Sequence, residues 1–497
     1  MSSTEQQTPE NDHDEAATAA PEGARAVRAP HAPGAATAQP GRSRRGVRAL
    51  LLRLHFYAGV FVAPFLLVAA LTGLAYTFTP QLDRLVYGDL LTVERTSGEP
   101  RTLAAQIAVA RAAHPEGTLA SVITPSGPED TTRLVLSLPE FGDKQRTLFV
   151  DPYTAEVKGE LTTQGRSTPL ATWLDDLHRN LHLGAAGRLY SEVAASWLWV
   201  IVAGGLVLWL GRARGQRAAS VRGVLLPGRS ARGIRRTRSR HAALGVWLAA
   251  GLLFLSATGL TWSRYAGDRF GQLLDAAKGH APELVTALPG AAAATGDGHE
   301  GHAGHGGGKV AGSAYPADFD VVLAAARNAG LAGGVVLTPP ADLASAWTVA
   351  QDDDTWPVHY DQVAVDPVQG AVTSRSRWAD YPVLAKLSKL GVQGHRGLLF
   401  GIANQIVLAV VALGLVLVIL WGYRMWWQRR PTLEDHTAPF GRAPARGTWR
   451  QLPLPVLILG VPAVVALGWA LPVLGITLLG FLVVDLTAGL VRRARAT

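Results

Sequence analysis

The sequence predicts a membrane all-α helical bundle with internal duplication, made of four core spans plus a C-terminal hairpin and carrying two small extracytoplasmic α+β domains. Three observations lead there: long apolar runs, arginines gathered beside those runs, and stretches of sequence that recur at fixed offsets.

The apolar runs come first. Hydrophobic residues make up 48% of the 497 residues and charged residues 17%, against about 25% charged in ordinary globular chains. Runs at about 55 to 78, 193 to 211, 242 to 263 and 404 to 424 are near the roughly 20 helical residues that cross a hydrocarbon core of about 30 Å. A further apolar stretch, 452 to 490, divides near Pro472 into two short spans. A five-span arrangement with one broken or re-entrant element is the alternative.

The arginines orient these spans. The stretch from Gly211 to Arg240 holds ten arginines and no acidic residue. Arg42, Arg44, Arg45, Arg48 and Arg53 precede the first span, Arg424, Arg429 and Arg430 follow the fourth, and Arg492, Arg493 and Arg495 follow the last. Basic residues beside short loops mark the cytoplasmic side. Both termini and both basic linkers are therefore expected in the cytoplasm of a cell whose plasma membrane the chain spans, with the two large loops outside. The same placement explains the net charge of +9 without a nucleic-acid partner.

The expected organisation is a disordered, basic-ended tail at 1–49 and a first span at 50–78, which acts as an uncleaved anchor. An outer domain at 79–192, a span at 193–211 and an Arg-rich linker at 212–241 follow. The second half repeats the order: a span at 242–263, an outer domain at 264–403, a span at 404–424, a linker at 425–451 and the hairpin at 452–490.

The recurrence is gapless in the first helices. His55, Gly59, Thr72, Gly73 and Leu74 return as His241, Gly245, Thr258, Gly259 and Leu260 at an offset of 186. HRNLHLG from His178 and HRGLLFG from His395 recur at an offset of 217. A register slip then aligns GLVL at Gly205 with GLVL at Gly414. LFVDPYTAEV around Asp151 and VAVDPVQGAV around Asp366 each read as strand, Asp-Pro turn and strand. Helical patterns at 101 to 113 and 317 to 329 precede them.

With no cysteine in the chain, disulfides, iron–sulfur clusters and thiolate catalysis are excluded, and histidine and carboxylate are the strong metal ligands left. Two repeated halves packed about a pseudo-two-fold axis would bring His55 to His241 near one face and His178 to His395 near the other. Opposed imidazoles suit the two axial positions of haem iron. His182, four residues after His178, is the alternative ligand on that side. Arg179 and Arg396, each next to a candidate ligand, suit haem propionates or an anionic substrate. Gly59, Gly73, Gly204, Gly205, Gly245, Gly259 and Gly414 serve close helix packing or a flat macrocycle equally well. Thr72 and Thr258 are expected to bond their own helix backbone. Trp197, Trp199, Trp209, Trp421, Trp426 and Trp427 read as interface anchors, and Asp485 as snorkelling or paired with nearby arginines. His299, His302 and His305, in a Gly-rich insertion at 296–309, are spaced to wrap a divalent metal such as copper, zinc or nickel, or form an unstructured insertion.

The His and TGL pattern of the first and third spans, the HRxLxxG and HRGLLFG elements and the FVDPYTAEV hairpin together resemble the PepSY-associated transmembrane family over roughly residues 50 to 430. The resemblance implies two PepSY-like outer domains and a bundle that binds haem b, two copies given the histidine pairs. It also implies a membrane ferric-siderophore reductase of bacterial iron uptake as the activity. No G-x-G-x-x-G follows a strand, so electrons would come from a cytoplasmic donor or a quinol. The alternatives are a non-enzymatic membrane protein whose outer domains bind peptides, proteases or a regulated partner, and a metal-transport accessory protein served by the His-rich insertion.

Overall fold

The computed structural model describes residues 40–94, 98–215, 225–228, 232–288, 316–342, 344–428 and 454–494. The His-rich insertion and its His299, His302 and His305 lie outside them. Among the described residues, four helices are long and apolar enough to cross a membrane: Gly184–Gly211, Gly233–Leu260, Gly401–Trp427 and Pro472–Val491. A bent pair makes five.

That bent pair is the first expected span. Instead of one helix over 50–78, α1 (Pro40–Phe61) and α2 (Ala63–Thr77) meet at 56°. The cause is Pro64, in the first turn of α2, which has no N–H to give the carbonyl four residues back. That carbonyl, Val60 O, is taken by the hydroxyl of Tyr423 at 2.9 Å, so the kink leaves no orphaned acceptor in an apolar setting.

After α2 the chain forms α3 (Thr79–Leu91), α4 (Leu103–Ala113), strands β1 (Thr118–Ile123), β2 (Thr132–Ser137), β3 (Gln145–Val150) and β4 (Val157–Thr163), α5 (Pro169–Asn180) and the spanning α6 (Gly184–Gly215). The second half gives the spanning α7 (Gly233–Leu260), α8 (Tyr265–Ala276), α9 (Pro316–Asn328), β5 (Val335–Thr338), β6 (Trp347–Gln351), β7 (Gln362–Asp366), β8 (Ala371–Ser376), α10 (Val383–Arg396) and the spanning α11 (Gly401–Trp427). The expected strand–turn–strand units are β3–β4 and β7–β8. In each, one aspartate oxygen accepts from the backbone N–H two residues on, Asp151 from Tyr153 and Asp366 from Val368, both at 2.8 Å.

The loops do not fold as two separate domains. Their strands form one antiparallel sheet in the order β4-β3-β2-β1-β5-β6-β7-β8, closed at its centre by Val122 opposite Leu337 and Ile123 opposite Val336. A free edge exposes unpaired backbone groups, and pairing β1 with β5 removes one edge from each half. On one face, α4 and α9 cover a core of Ile107, Val122, Leu134, Leu148, Phe319, Leu337, Trp347 and Val365. The second half also caps the first: Asp320 of α9 accepts from Leu103 N and Ala104 N at the start of α4. The other face of the sheet looks toward α3, α5 and the bundle.

The stretch 452–490 resolves into α12 (Leu454–Ala470) and α13 (Pro472–Ala494), of which α12, at 17 residues, falls short of the span length. A Cβ on Gly475 would sit 2.9 Å from the Gly468 Cα, so glycine is required for the two backbones to touch at the turn. Three of its contacts with the bundle are specific. Asp485 pairs with the buried Arg53 of α1, Trp197 Nε1 donates to Thr477 at 2.8 Å, and Phe481 lies against Tyr57. Trp197 is thus a packed residue, 6% exposed, and not an interface anchor, because its indole N–H has a partner inside the bundle.

Candidate cofactor site

Four helices deliver four histidines to two places. His55 of α1 and His241 of α7 face each other with ring centroids 6.3 Å apart, and His178 of α5 and His395 of α10 do so at 6.4 Å. The α5 and α10 pair sits at the end of the bundle that carries the sheet. The other pair lies toward the opposite end: the 17 residues of helix from His241 to Thr258 rise about 25 Å.

The hydrogen bonds fix the tautomer at all four rings. His55 Nδ1 is 2.9 Å from Ile201 O, and His241 Nδ1 is 2.9 Å from Val418 O. A carbonyl only accepts, so Nδ1 carries the proton and Nε2 keeps its lone pair. At the sheet end the partner is a threonine. Thr72 Oγ1 gives its single proton to Val68 O at 2.8 Å and therefore accepts from His178 Nδ1 at 3.0 Å. Thr258 repeats this with Phe254 O at 2.7 Å and His395 Nδ1 at 2.8 Å. Both threonines do bond their own helix, as expected from the sequence, but the second bond, to the imidazole, makes them part of the site.

Each pair thus presents two unprotonated Nε2 atoms. Two metal–nitrogen bonds of about 2 Å in line, with the radius of each ring added, put trans imidazole centroids about 6 Å apart, which is the spacing found. Small residues admit the rings. A Cβ on Gly73 would fall 2.9 Å from His178 Cε1, and one on Gly205 3.2 Å from His55 Cε1. Gly59 and Gly245, one turn beyond His55 and His241, have nothing within 4 Å of where a side chain would begin, an opening on the histidine face of each helix. The donor set, the spacing and this opening fit a bis-histidine haem.

The contacts also revise the alignment. Ile201 and Val418, which bind the two Nδ1 atoms, are 217 apart, as are Gly205 and Gly422, which lie beside His55 and His241. The offset set by His178 and His395 therefore runs on without a slip, and the counterpart of Gly205 by contact is Gly422. Gly414 instead packs on Leu248.

His182 is removed from the site. Helix α5 ends at Asn180, and Leu181 and His182 take φ of 54° and 56°, so the helical spacing that put His182 over His178 does not continue. Its ring lies on Trp173 instead. Arg179 is held by Asp175 at 2.9 Å, whereas Arg396 Nε donates to the Tyr76 hydroxyl at 3.2 Å. The Tyr76 ring in turn stacks on His178 at 6.3 Å and 9°. Tyr76 carried no signal in the sequence, since its counterpart is Trp262. The carbonyls of Ile201 and Val418 could not have been found either, because any residue supplies one. Among the described residues no group of three or more His, Cys, Asp or Glu is placed to hold a metal ion.

The family model described as the PepSY-associated TM region matches residues 52–429. A search of the curated proteins finds no match.

Proposed function

The chain belongs to the PepSY-associated transmembrane family, and on that premise we propose that it is a haem-bearing membrane protein that passes electrons to an extracytoplasmic ferric siderophore. The observation that carries this reading is the pairing of four tautomer-fixed imidazoles into two sites at opposite ends of the bundle. A single pair could be packing. Two pairs, each built from matching contacts at a fixed offset, are what an internal duplication about a pseudo-two-fold axis produces, and each would offer a haem one imidazole from each half.

Haem b, when bound, supplies one-electron transfer across apolar depth that electrons do not otherwise cross. The residues of the chain do the rest. His55, His241, His178 and His395 would hold the group; Ile201 O, Val418 O, Thr72 and Thr258 engage each Nδ1 and so leave each Nε2 unprotonated. The bundle excludes water around them. The sheet, set outside the cell by the arginine distribution, roofs the second pair, where a ferric complex would be met. Electrons would enter at the first pair from a cytoplasmic donor or a quinol. Release of iron follows because hard oxygen ligands hold Fe(II) less tightly than Fe(III). The substrate class rests on family resemblance. A non-enzymatic PepSY protein and a metal-transport accessory protein are the competing classes, and no contact among the described residues favours either.

Purification from haem-replete cells followed by oxidised and reduced absorption spectra tests the reading. A Soret band is expected, with His55→Ala and His241→Ala removing one haem and sparing the other. A colourless protein after haem supplementation would sink it.

A further inference from the structure

Beside the second histidine pair, the sheet and the bundle enclose a layer of charged side chains contributed by six segments of the chain. Most are matched. Arg166, after β4, pairs with Asp352 in the loop after β6, and Asp83 of α3 accepts from Thr168 at 2.7 Å. Asp354 accepts from the Tyr360 hydroxyl at 2.7 Å, and Arg179 pairs with Asp175.

Three cations in this layer have carboxylates near them but no ion pair among the described residues. Arg133 of β2 projects from the face of the sheet opposite the core, because its neighbour Leu134 lies in that core. Its guanidinium sits 5.9 Å over the Phe149 ring. Lys389 of α10 places its ammonium 4.2 Å over Tyr360. No side-chain hydrogen bond or ion pair joins either to another residue among the described ones. Arg396 uses only Nε, on Tyr76, and keeps its terminal nitrogens. All three are partly buried. Lys389 and Arg396 lie two turns apart on α10 and share Asp354 as a charged neighbour, and Lys389 shares Asp352 and Arg166 with Arg133, so the three are linked through Asp352 and Asp354. Burial holds both Arg133 and Lys389 below their ordinary values, the mark of cations taken from water without full compensation. Aromatic faces support such cations but do not neutralise them.

We infer that Arg133, Lys389 and Arg396 form a binding site for a carboxylate-bearing ligand at the junction of the sheet and the bundle, beside His178 and His395. Two guanidinium forks and one ammonium present a donor set suited to carboxylates. The ligand is either the carboxylates of an anionic ferric chelate or the propionates of the cofactor. The inference rests on the proposed function only in naming those two sources.

The test uses the full chain in lipid nanodiscs, with calorimetric titration of ferric citrate and, separately, of a cationic ferric trihydroxamate. Wild type is expected to bind the citrate chelate in preference, more weakly as salt rises. R133Q, K389Q and R396Q should each weaken it about tenfold, as loss of one charge-assisted bond implies, with R133K retaining most of the affinity as a check on folding. Unchanged citrate affinity and unchanged haem content in all three variants would overturn the inference, as would a preference for the cationic complex. Loss of haem from the second pair with citrate affinity intact keeps the carboxylate chemistry and assigns it to the propionates. A colourless wild type that still binds ferric citrate through these cations would refute the haem reading and leave this site standing.

Discussion

Thr72 Oγ1 and His178 Nδ1 lie 3.0 Å apart, and because the threonine's proton is committed to Val68 O, the imidazole can only be the donor between them. One hydroxyl thereby sets which ring nitrogen is free, and Thr258 does the same for His395.

Thr72→Val and Thr258→Val keep the shape of the side chain and delete the acceptor. Each is expected to weaken haem at the second pair by about 10- to 100-fold, the usual cost of losing a partner behind a metal ligand, without altering the His55–His241 signal. Haemin titration followed by absorbance reads this. Equal affinity in the valine variants would show that the threonines serve only their own helices.

Gly73 and Gly59 should respond in opposite ways. A methyl at Gly73 meets His178 at 2.9 Å, and Gly73→Ala is expected to cost about 1–3 kcal/mol of stability through overpacking. At Gly59 nothing stands within 4 Å, so Gly59→Phe should leave the haem-free protein as stable as wild type while blocking haem at the first pair. Thermal unfolding in detergent, with and without haem, separates the two.

The Arg53–Asp485 pair is the anchor of the C-terminal hairpin with the largest expected penalty. Arg53→Ala or Asp485→Ala alone removes one side of an ion pair whose arginine is buried, at an expected cost of about 3–5 kcal/mol. Arg53→Met combined with Asp485→Leu should recover most of it. A double variant as unstable as the single ones would mean that charge pairing is not what the hairpin needs.

His114 joins the end of α4 to β4. Glu160 at 2.6 Å from Nε2, then Glu116 at 3.1 Å from Nδ1, raise its pKa above its ordinary 6.5. A group raised on folding adds stability that is fully present below the unfolded value and is lost as pH rises through the folded value. Histidine resonances in an NMR titration are expected to show a midpoint above 6.5 that falls in Glu160→Gln. A midpoint at or below 6.5 in wild type would contradict the ion-pair geometry.

Much of this protein was legible in one dimension. The apolar runs of α6, α7 and α11, the strand–turn–strand units at Asp151 and Asp366, and the partnering of His55 with His241 and of His178 with His395 all follow from periodicity and recurrence. Those signals survive because they are local or are copied at a constant offset. Pro64 was also visible, although its effect on the first span depended on whether Tyr423 would take the carbonyl it frees.

The sequence by itself determined which residue types recur and at what spacing, because burial in lipid and ligation by imidazole constrain composition directly. Only the tertiary structure decided what lies behind those residues. Two backbone carbonyls and two threonines orient the imidazoles, a left-handed turn at Leu181 excludes His182, and β1 joins β5 to make one sheet from two loops. Tyr76 of α2 stacks on His178 of α5 and accepts from Arg396 of α10, although the three lie far apart in the chain. Hydrogen bonds to a main-chain atom, chain reversals and strand partners depend on where segments meet in space, and no single segment records that.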